Sequence, residues 1–366
     1  MARAVHQQQG TLNAQFPSFY NPANAGKWDY RPNARSLFTG ATDYRQALGI
    51  KPAASDRFKI HVLGIDVQKD FGLPEGTLYV GGRSGTGAID DTRRTAEFIY
   101  RNMDVISAIT PTMDTHFPLQ IFSPSFWLDD NGQPVLPHDQ ITDGLEIMRM
   151  GKSAGKATPN PAVAALANGN YSWLVNQAKF YCKELAKGGK YQLYIWPEHT
   201  LLGSGGHALV GLFEEARLFH AFVRMAQSEA QIKGGNPFTE NYSVFGAEVL
   251  TRHDGKGVIA SKNMAFIRLL LEADAVVTLG QAGSHCLKSS TDDLLGEILA
   301  QDPTLAKKVY VLRDCTSAVA VPNPAGGFFV DYTTEMEAAL ARYEAAGMHV
   351  VNSTDPIRSW PGIQLD

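Results

Sequence analysis

At 366 residues the chain suits one large α/β domain with insertions or two average domains, and its 44% hydrophobic content supports a sizeable core without disulfides or metals as staples. A net charge of −4 excludes the basic excess that a nucleic-acid or anionic-membrane surface requires. Three cysteines (Cys182, Cys286, Cys315), an odd number with no CxxC pair, fit a reducing compartment in which a special cysteine is reactive rather than bridged. Residues 1–10 are polar and Gln-rich, without the apolar centre of a secretion signal. The longest apolar stretch, Met264 to Gly280, carries Arg268, Glu272 and Asp274, so nothing is expected to span a membrane. The expectation is a soluble cytoplasmic protein whose partner is a small molecule.

Residues 1–57 are rich in Asn, Pro, Ala and Gln, with scattered aromatics (Phe16, Phe19, Tyr20, Trp28, Tyr30) that a disordered tail rarely carries. They are expected to form an arm of little regular structure, packed on the domain or on a neighbouring subunit of a homo-oligomer. From Phe58 the pattern becomes α/β. Lys59–Ile65 is a β-rich run ending at Asp66; Asp90–Ile109 reads as a helix, and Ala108–Met113 leads into a second strand ending at Asp114. Residues 128–170, full of Gly, Pro, Asn and Asp, read as a long insertion with little sheet. Tyr171–Ala186 is an amphipathic helix stopped by Gly188–Gly189, and Tyr191–Trp196 a strand closed by Pro197. Val210–Ala230 and Ser261–Leu271 are helical, Ala275–Leu279 is a buried strand, and Leu287–Ala300 a helix. Lys308–Leu312 is a strand, and Glu335–Ala346 with His349–Val351 a last helix–strand pair. Strands alternating with helices imply a doubly wound, mostly parallel α/β sheet, in one domain with an N-terminal extension. Sites in that architecture form at the carboxyl ends of strands, where Asp66, Asp114, Glu198–His199 and the stretch up to Cys286 fall.

Cys286 follows a strand and a Gly-containing turn and precedes a helix. A thiol there is favoured as thiolate by unpaired amides and the helix dipole, and the same amides can hold an oxyanion. A buried structural cysteine is the plainer alternative. Asp66 by itself reads equally as a turn cap. Asp114-Thr-His116 sets a carboxylate and an imidazole two residues apart, on one side of a continuing strand. With His199 they make a two-His, one-carboxylate set suited to a divalent transition metal, although solvated turn residues would share the pattern. Gly81 to Gly87 fails the G-x-G-x-x-G spacing and reads as a loop, not a phosphate cradle. His207, His220 and Asp314 read as core, surface or bracing groups.

Taken together, these pieces resemble the nicotinamidase/isochorismatase superfamily of cysteine hydrolases. Asp66-Val-Gln68-Lys-Asp70-Phe71 is similar to its D-x-Q-x-D-F opening, Asp114-Thr-His116 to its D-x-H motif, and Trp196-Pro-Glu-His199 to W-P-x-H. Lys233-Gly234 followed by Tyr242-Ser-Val-Phe245 resembles K-G…Y-S-x-F, and Gly280-Gln-Ala282-Gly-Ser-His-Cys286 resembles the nucleophile turn G-x-A-x-x-x-C. The motifs occur in family order from Phe58 to about Asp314. The resemblance implies an isochorismatase-like hydrolase domain over 58–366, with insertions around 117–190 and 201–230 that reshape the pocket. It further implies Asp66 as acid–base, Lys233 as thiolate stabiliser, Cys286 as nucleophile, and the backbone amides of Ala282 and Cys286 as oxyanion hole, with a cis peptide between Gln281 and Ala282. Phe71 and Trp196 would sandwich an aromatic ring, with His285 as a further substrate-binding residue. Asp114, His116 and His199 would hold a metal, expected to be zinc. Where such proteins often carry a further histidine ligand this chain has Gln120, able to ligate weakly or through water. The activity so implied is release of ammonia from a small, nicotinamide-like carboxamide through a thioester. A metal-independent ureido or carbamoyl amidase, a vinyl-ether hydrolase that leaves the cysteine unused, and a non-catalytic binding protein are the alternatives.

Overall fold

The computed structural model describes residues 16–187, 191–227 and 229–365. Its centre is a six-stranded sheet of β1 (Ile60–Ile65), β2 (Ile106–Asp114), β3 (Gln231–Lys233), β4 (Ala275–Gly280), β5 (Val309–Leu312) and β6 (His349–Val351). All neighbours are parallel, in the order β6-β5-β4-β1-β2-β3. The order reverses between β1 and β4, which opens the crevice where such sheets place ligands. Every residue of β1 and β4 is buried, as expected of central parallel strands covered on both faces.

Alternation along these strands divides the core. Ile60, Val62, Ala275, Val277 and Leu279 face one layer, built from α2 (Gly87–Arg101) and α4 (Gly211–Arg224). Leu63, Ile65 and Val276 face the other, built from α5 (Met264–Leu271), α6 (Cys286–Gln301) and α7 (Thr333–Ala345). Among the described residues no helix is long and apolar enough to cross a membrane.

Several expectations need correction. The arm contains a regular helix, α1 (Ala34–Leu48): the Asn33 side chain caps its start by accepting from the Ser36 N–H at 3.0 Å, and left-handed Gly49 ends it. The arm's aromatics take one of the two places expected of them: Phe16, Phe19, Tyr20 and Trp28 pack on the chain's own α2–α4 layer, with the Phe19 and Phe219 rings 4.9 Å apart. The first sheet helix ends at Arg101 rather than Ile109, because Ile106–Thr110 are already strand. The insertion holds more sheet than its composition suggested. Gln140–Ile141, Glu146–Arg149, Lys152–Lys156 and Leu193–Tyr194 form an antiparallel sheet beside α3 (Tyr171–Lys187). Leu193–Tyr194 is all that remains of the strand expected over Tyr191–Trp196, and it pairs in that sheet, not the parallel one. The glycines expected to stop α3 lie outside the described residues.

Candidate active site

Register carries the charged residues to one place. Ile65 pairs with Gly280, so Asp66 and the Gln281–Cys286 turn leave adjacent strands at the same level. Asp114 pairs with Lys233 at the ends of β2 and β3. Gly280 is required for this closeness: its φ is +112°, and a Cβ there would lie 2.1 Å from the Ile65 carbonyl oxygen.

Lys233 sits at the centre of the cluster. Its Nζ is 3.0 Å from Asp66 Oδ2 and 2.9 Å from Asp114 Oδ1, and donates to the Asn241 carbonyl at 3.0 Å and to Cys286 Sγ at 3.7 Å. Burial favours loss of the ammonium proton, but Asp114, Asp66 and Cys286 together outweigh it and hold the pKa well above the ordinary value. Asp66 is fully buried in a left-handed backbone, φ 46°. Its N–H donates to Thr112 Oγ1 at 2.9 Å, and that hydroxyl donates back to Asp66 Oδ1, which holds a conformation few non-glycine residues adopt. Burial raises the Asp66 pKa, with Lys233 opposing and Asp114 adding to the rise. Burial likewise keeps the Cys286 thiol protonated, although Lys233 favours the thiolate. The resting cluster therefore holds a thiol beside a carboxyl of raised basicity, with an ammonium between them.

Cys286 opens α6, and among the described residues neither its N–H nor that of Ala282 donates to a carbonyl or side chain. Two such amides in the turn that carries the sulfur suit a developing oxyanion. The peptide between Gln281 and Ala282 is cis, as the resemblance implies.

The second group adjoins the first through Asp114. His116 Nε2 is 2.9 Å and His199 Nε2 3.7 Å from Asp114 Oδ2, and ligand atoms of the three residues lie within 4.8 Å of one another. Each histidine spends its other nitrogen on a carbonyl: His116 Nδ1 donates to Gly234 O at 3.1 Å, His199 Nδ1 to Pro197 O at 2.7 Å. Because a carbonyl only accepts, Nδ1 carries a proton in each ring, which leaves both Nε2 atoms, on the Asp114 side, as the donors that a metal would take. Burial would raise the Asp114 pKa, yet His116 and Lys233 hold it well below the usual carboxylate range. The donor set of two imidazoles and one carboxylate thus fits a divalent transition metal with open positions. Gly234, at φ +89°, permits the close packing: a Cβ would lie 2.6 Å from Asp114 Oδ1.

Two expectations about this group change. His199 does not leave the end of a parallel strand. It sits in a loop held by the hydrogen bonds His116 N–H to Thr200 O, 3.1 Å, and Leu202 N–H to His116 O, 3.0 Å. Gln120 offers no ligand, because its amide donates to the Gly234 and Asn236 carbonyls at 2.6 and 2.9 Å while its oxygen accepts from Phe117 N–H at 2.8 Å. It braces the loop behind His116.

Phe71 lies 5.6 Å, and Trp196 6.5 Å, ring to ring, from His199, and His285 packs edge-on to Trp196 at 5.8 Å. All the expected site residues are therefore brought into one region. Three supports carried no assigned role in the sequence. Thr112 anchors Asp66, Tyr242 accepts the Trp196 indole N–H at 2.8 Å, and Gln68 clamps the Asp114 backbone, accepting its N–H at 2.8 Å and donating to its carbonyl at 2.9 Å. Gln68 and Tyr242 stand inside the motifs and Thr112 two residues before one, and that was the only available signal.

Fold and site together define a doubly wound α/β protein in which a buried Cys–Lys–Asp set shares an ion pair with an Asp–His–His set. Comparison with family models and with curated proteins finds no match. Among solved structures the chain is similar to a nicotinamidase/pyrazinamidase of Acinetobacter baumanii, with 16% identity over 82% of this chain and 98% of that one and a TM-score of 0.46. It is similar to yeast nicotinamidase bound to the inhibitor nicotinaldehyde, with 15% identity over 80% and 99% and a TM-score of 0.46. It is also similar to a Pyrococcus horikoshii pyrazinamidase in complex with zinc, with 16% identity over 80% and 98% and a TM-score of 0.40.

Proposed function

We propose that this protein is a cysteine amidohydrolase of the nicotinamidase/isochorismatase superfamily, releasing ammonia from a small carboxamide. The observation that carries the reading is the position of Lys233 Nζ, 3.0 Å from Asp66 and 3.7 Å from Cys286, beside two undonated amides at the sheet's switch point. Asp66 takes the thiol proton while Lys233 stabilises the sulfur as it becomes a thiolate, and Cys286 attacks the carbonyl carbon. The Ala282 and Cys286 amides receive the negative oxygen. Asp66, whose raised pKa suits it to hold a proton, returns that proton to the departing nitrogen, and water then cleaves the thioester. Asp114, His116 and His199 would hold the metal, which when bound supplies a Lewis acid able to fix a ring nitrogen or water of the substrate complex.

The test is ammonia release over a panel of carboxamides that includes nicotinamide, run beside iodoacetamide labelling of the thiols. Turnover that survives Cys286 labelling would remove the nucleophile assignment. Labelling that spares Cys286 in an active enzyme would do the same.

A further inference from the structure

Beside His285 the molecule has a cavity of about 440 Å³, most of whose lining has no part in the reaction steps described above. Six rings line it: Tyr191, Tyr194, Trp196, Tyr242, His285 and Tyr332. Three of them reach back to the reacting groups. His285 adjoins Cys286 in the chain; Trp196 borders His199; Tyr242 follows Asn241, whose carbonyl accepts from Lys233. The rings hold one another at edges and tilts, with His285 to Tyr332 at 4.9 Å and Tyr194 to Trp196 at 4.3 Å, so the walls are preformed. The volume lies in the range of roughly 300–1,000 Å³ that accommodates drug-sized ligands, more room than a bare pyridine carboxamide needs.

The polar residues of the lining are unbalanced. Lys288 is its one ammonium, against the carboxylates of Asp292, Asp293 and Glu335. Lys288 is matched by Asp292 at 2.9 Å, and Asp292 is further bound by Arg342 and by the Tyr343 hydroxyl at 2.9 Å. Asp293 and Glu335 form no ion pair among the described residues; Asp293 feels the charge of Lys262, which is itself paired with Glu297 at 2.7 Å. Burial pushes the His285 pKa down to about 4, so this ring adds no positive charge at neutral pH. The Tyr191 hydroxyl is buried with no hydrogen-bond partner. Aromatic walls with surplus carboxylate attract cations through ring faces and long-range charge together.

We propose that this cavity is the outer part of the substrate site and binds a cationic group, an ammonium or alkylated ring nitrogen, at the substrate end remote from the carboxamide. The carboxamide end rests on the function proposed above; the cation end rests on the cavity alone.

Choline and 3,3-dimethylbutan-1-ol, which differ in carrying a quaternary nitrogen or a quaternary carbon, separate charge from shape. Titration calorimetry on the full chain is expected to show choline binding about tenfold or more tighter than the alcohol. Exposed Glu335→Gln should weaken choline several-fold and leave the alcohol unchanged, and choline should slow iodoacetamide labelling of Cys286. Equal affinity for the two probes, or no binding of either, overturns the cation site. Binding without protection of Cys286 overturns its place beside the nucleophile. Choline preference in a protein that deamidates nothing would sink the amidase reading while the cation site stands; turnover of neutral amides with no choline preference would do the opposite.

Discussion

Asp66 and Asp114 are the same residue type, in the same layer of the fold, both buried and both on Lys233 Nζ, yet their surroundings push them apart. Asp66 faces the sulfur with Thr112 as its hydroxyl donor, and burial leaves it able to take a proton. Asp114 has Lys233 on one oxygen and two imidazoles on the other, which keep it ionised. In the proposed reaction one half would move a proton and the other hold a cation, and the difference arises from neighbours rather than from residue type.

Removing the sulfur separates the halves most sharply. Cys286→Ala is expected to abolish turnover while zinc binding, followed by metal analysis after dialysis, persists. Substituting Cys182 or Cys315, buried thiols whose pKa values burial raises, should leave turnover in place. Equal loss from all three would show that the damage is to folding.

Lys233→Met removes the charge that the halves share. Breaking a buried pair costs about 3–5 kcal/mol because the partner is left unpaired, so the urea midpoint should fall steeply. A midpoint within error of the wild type would mean that the ammonium is not what holds Asp66 and Asp114 together.

The histidine half is expected to fail alone. His199→Ala removes one of three ligands and should lower zinc affinity at least about 100-fold, more than the loss of an outer-sphere partner usually does. Gln120→Ala should act through loop stability, since its side chain is committed to backbone. Unchanged zinc binding in His199→Ala would remove it from the ligand set.

The smallest effect concerns the support under the Gln281–Cys286 turn. Asp91 on α2 accepts from the Gln281 amide at 2.9 Å and from Arg94 at 2.8 Å. Burial raises its carboxyl from the ordinary 3.8 to about 6 despite the bonds from Ser317, Gln281 and Arg94. The folded chain thus keeps a proton that the unfolded chain releases near 3.8. This contribution to stability is complete below that pH and is lost as pH rises through about 6, with a slope of at most about 1.4 kcal/mol per pH unit. Unfolding measured from pH 4 to 7 should show Asp91→Asn declining less than the wild type across that window; parallel curves would exclude Asp91 as the source.

The parallel sheet was legible because nearly continuous apolar runs such as Ile60–Ile65 and Ala275–Gly280, each broken by a single polar residue, announce strands buried on both faces. The clustering of the candidate site residues was legible because Asp66, Asp114 and Cys286 stand at or just past strand ends inside recognisable motifs. Helix α1 went unrecognised although Asn33 and Gly49 marked its ends, because an Asn- and Pro-rich composition outweighed its caps. Lys233 was named without its strand, since three residues are too few to show a period.

The order and kind of the residues in those motifs belong to the sequence by itself, and so does the alternation that yields a doubly wound sheet. Contacts between segments far apart in the chain decided the rest. Gln120 is a brace and not a ligand because three backbone groups occupy its amide. The antiparallel sheet formed where composition suggested loop because Gln140–Ile141 found Leu193–Tyr194 across some fifty residues. His199 reaches Asp114 through a loop tied to His116, not through a strand. Local propensity acts over a few residues, whereas hydrogen-bond satisfaction and burial are settled only when distant segments meet.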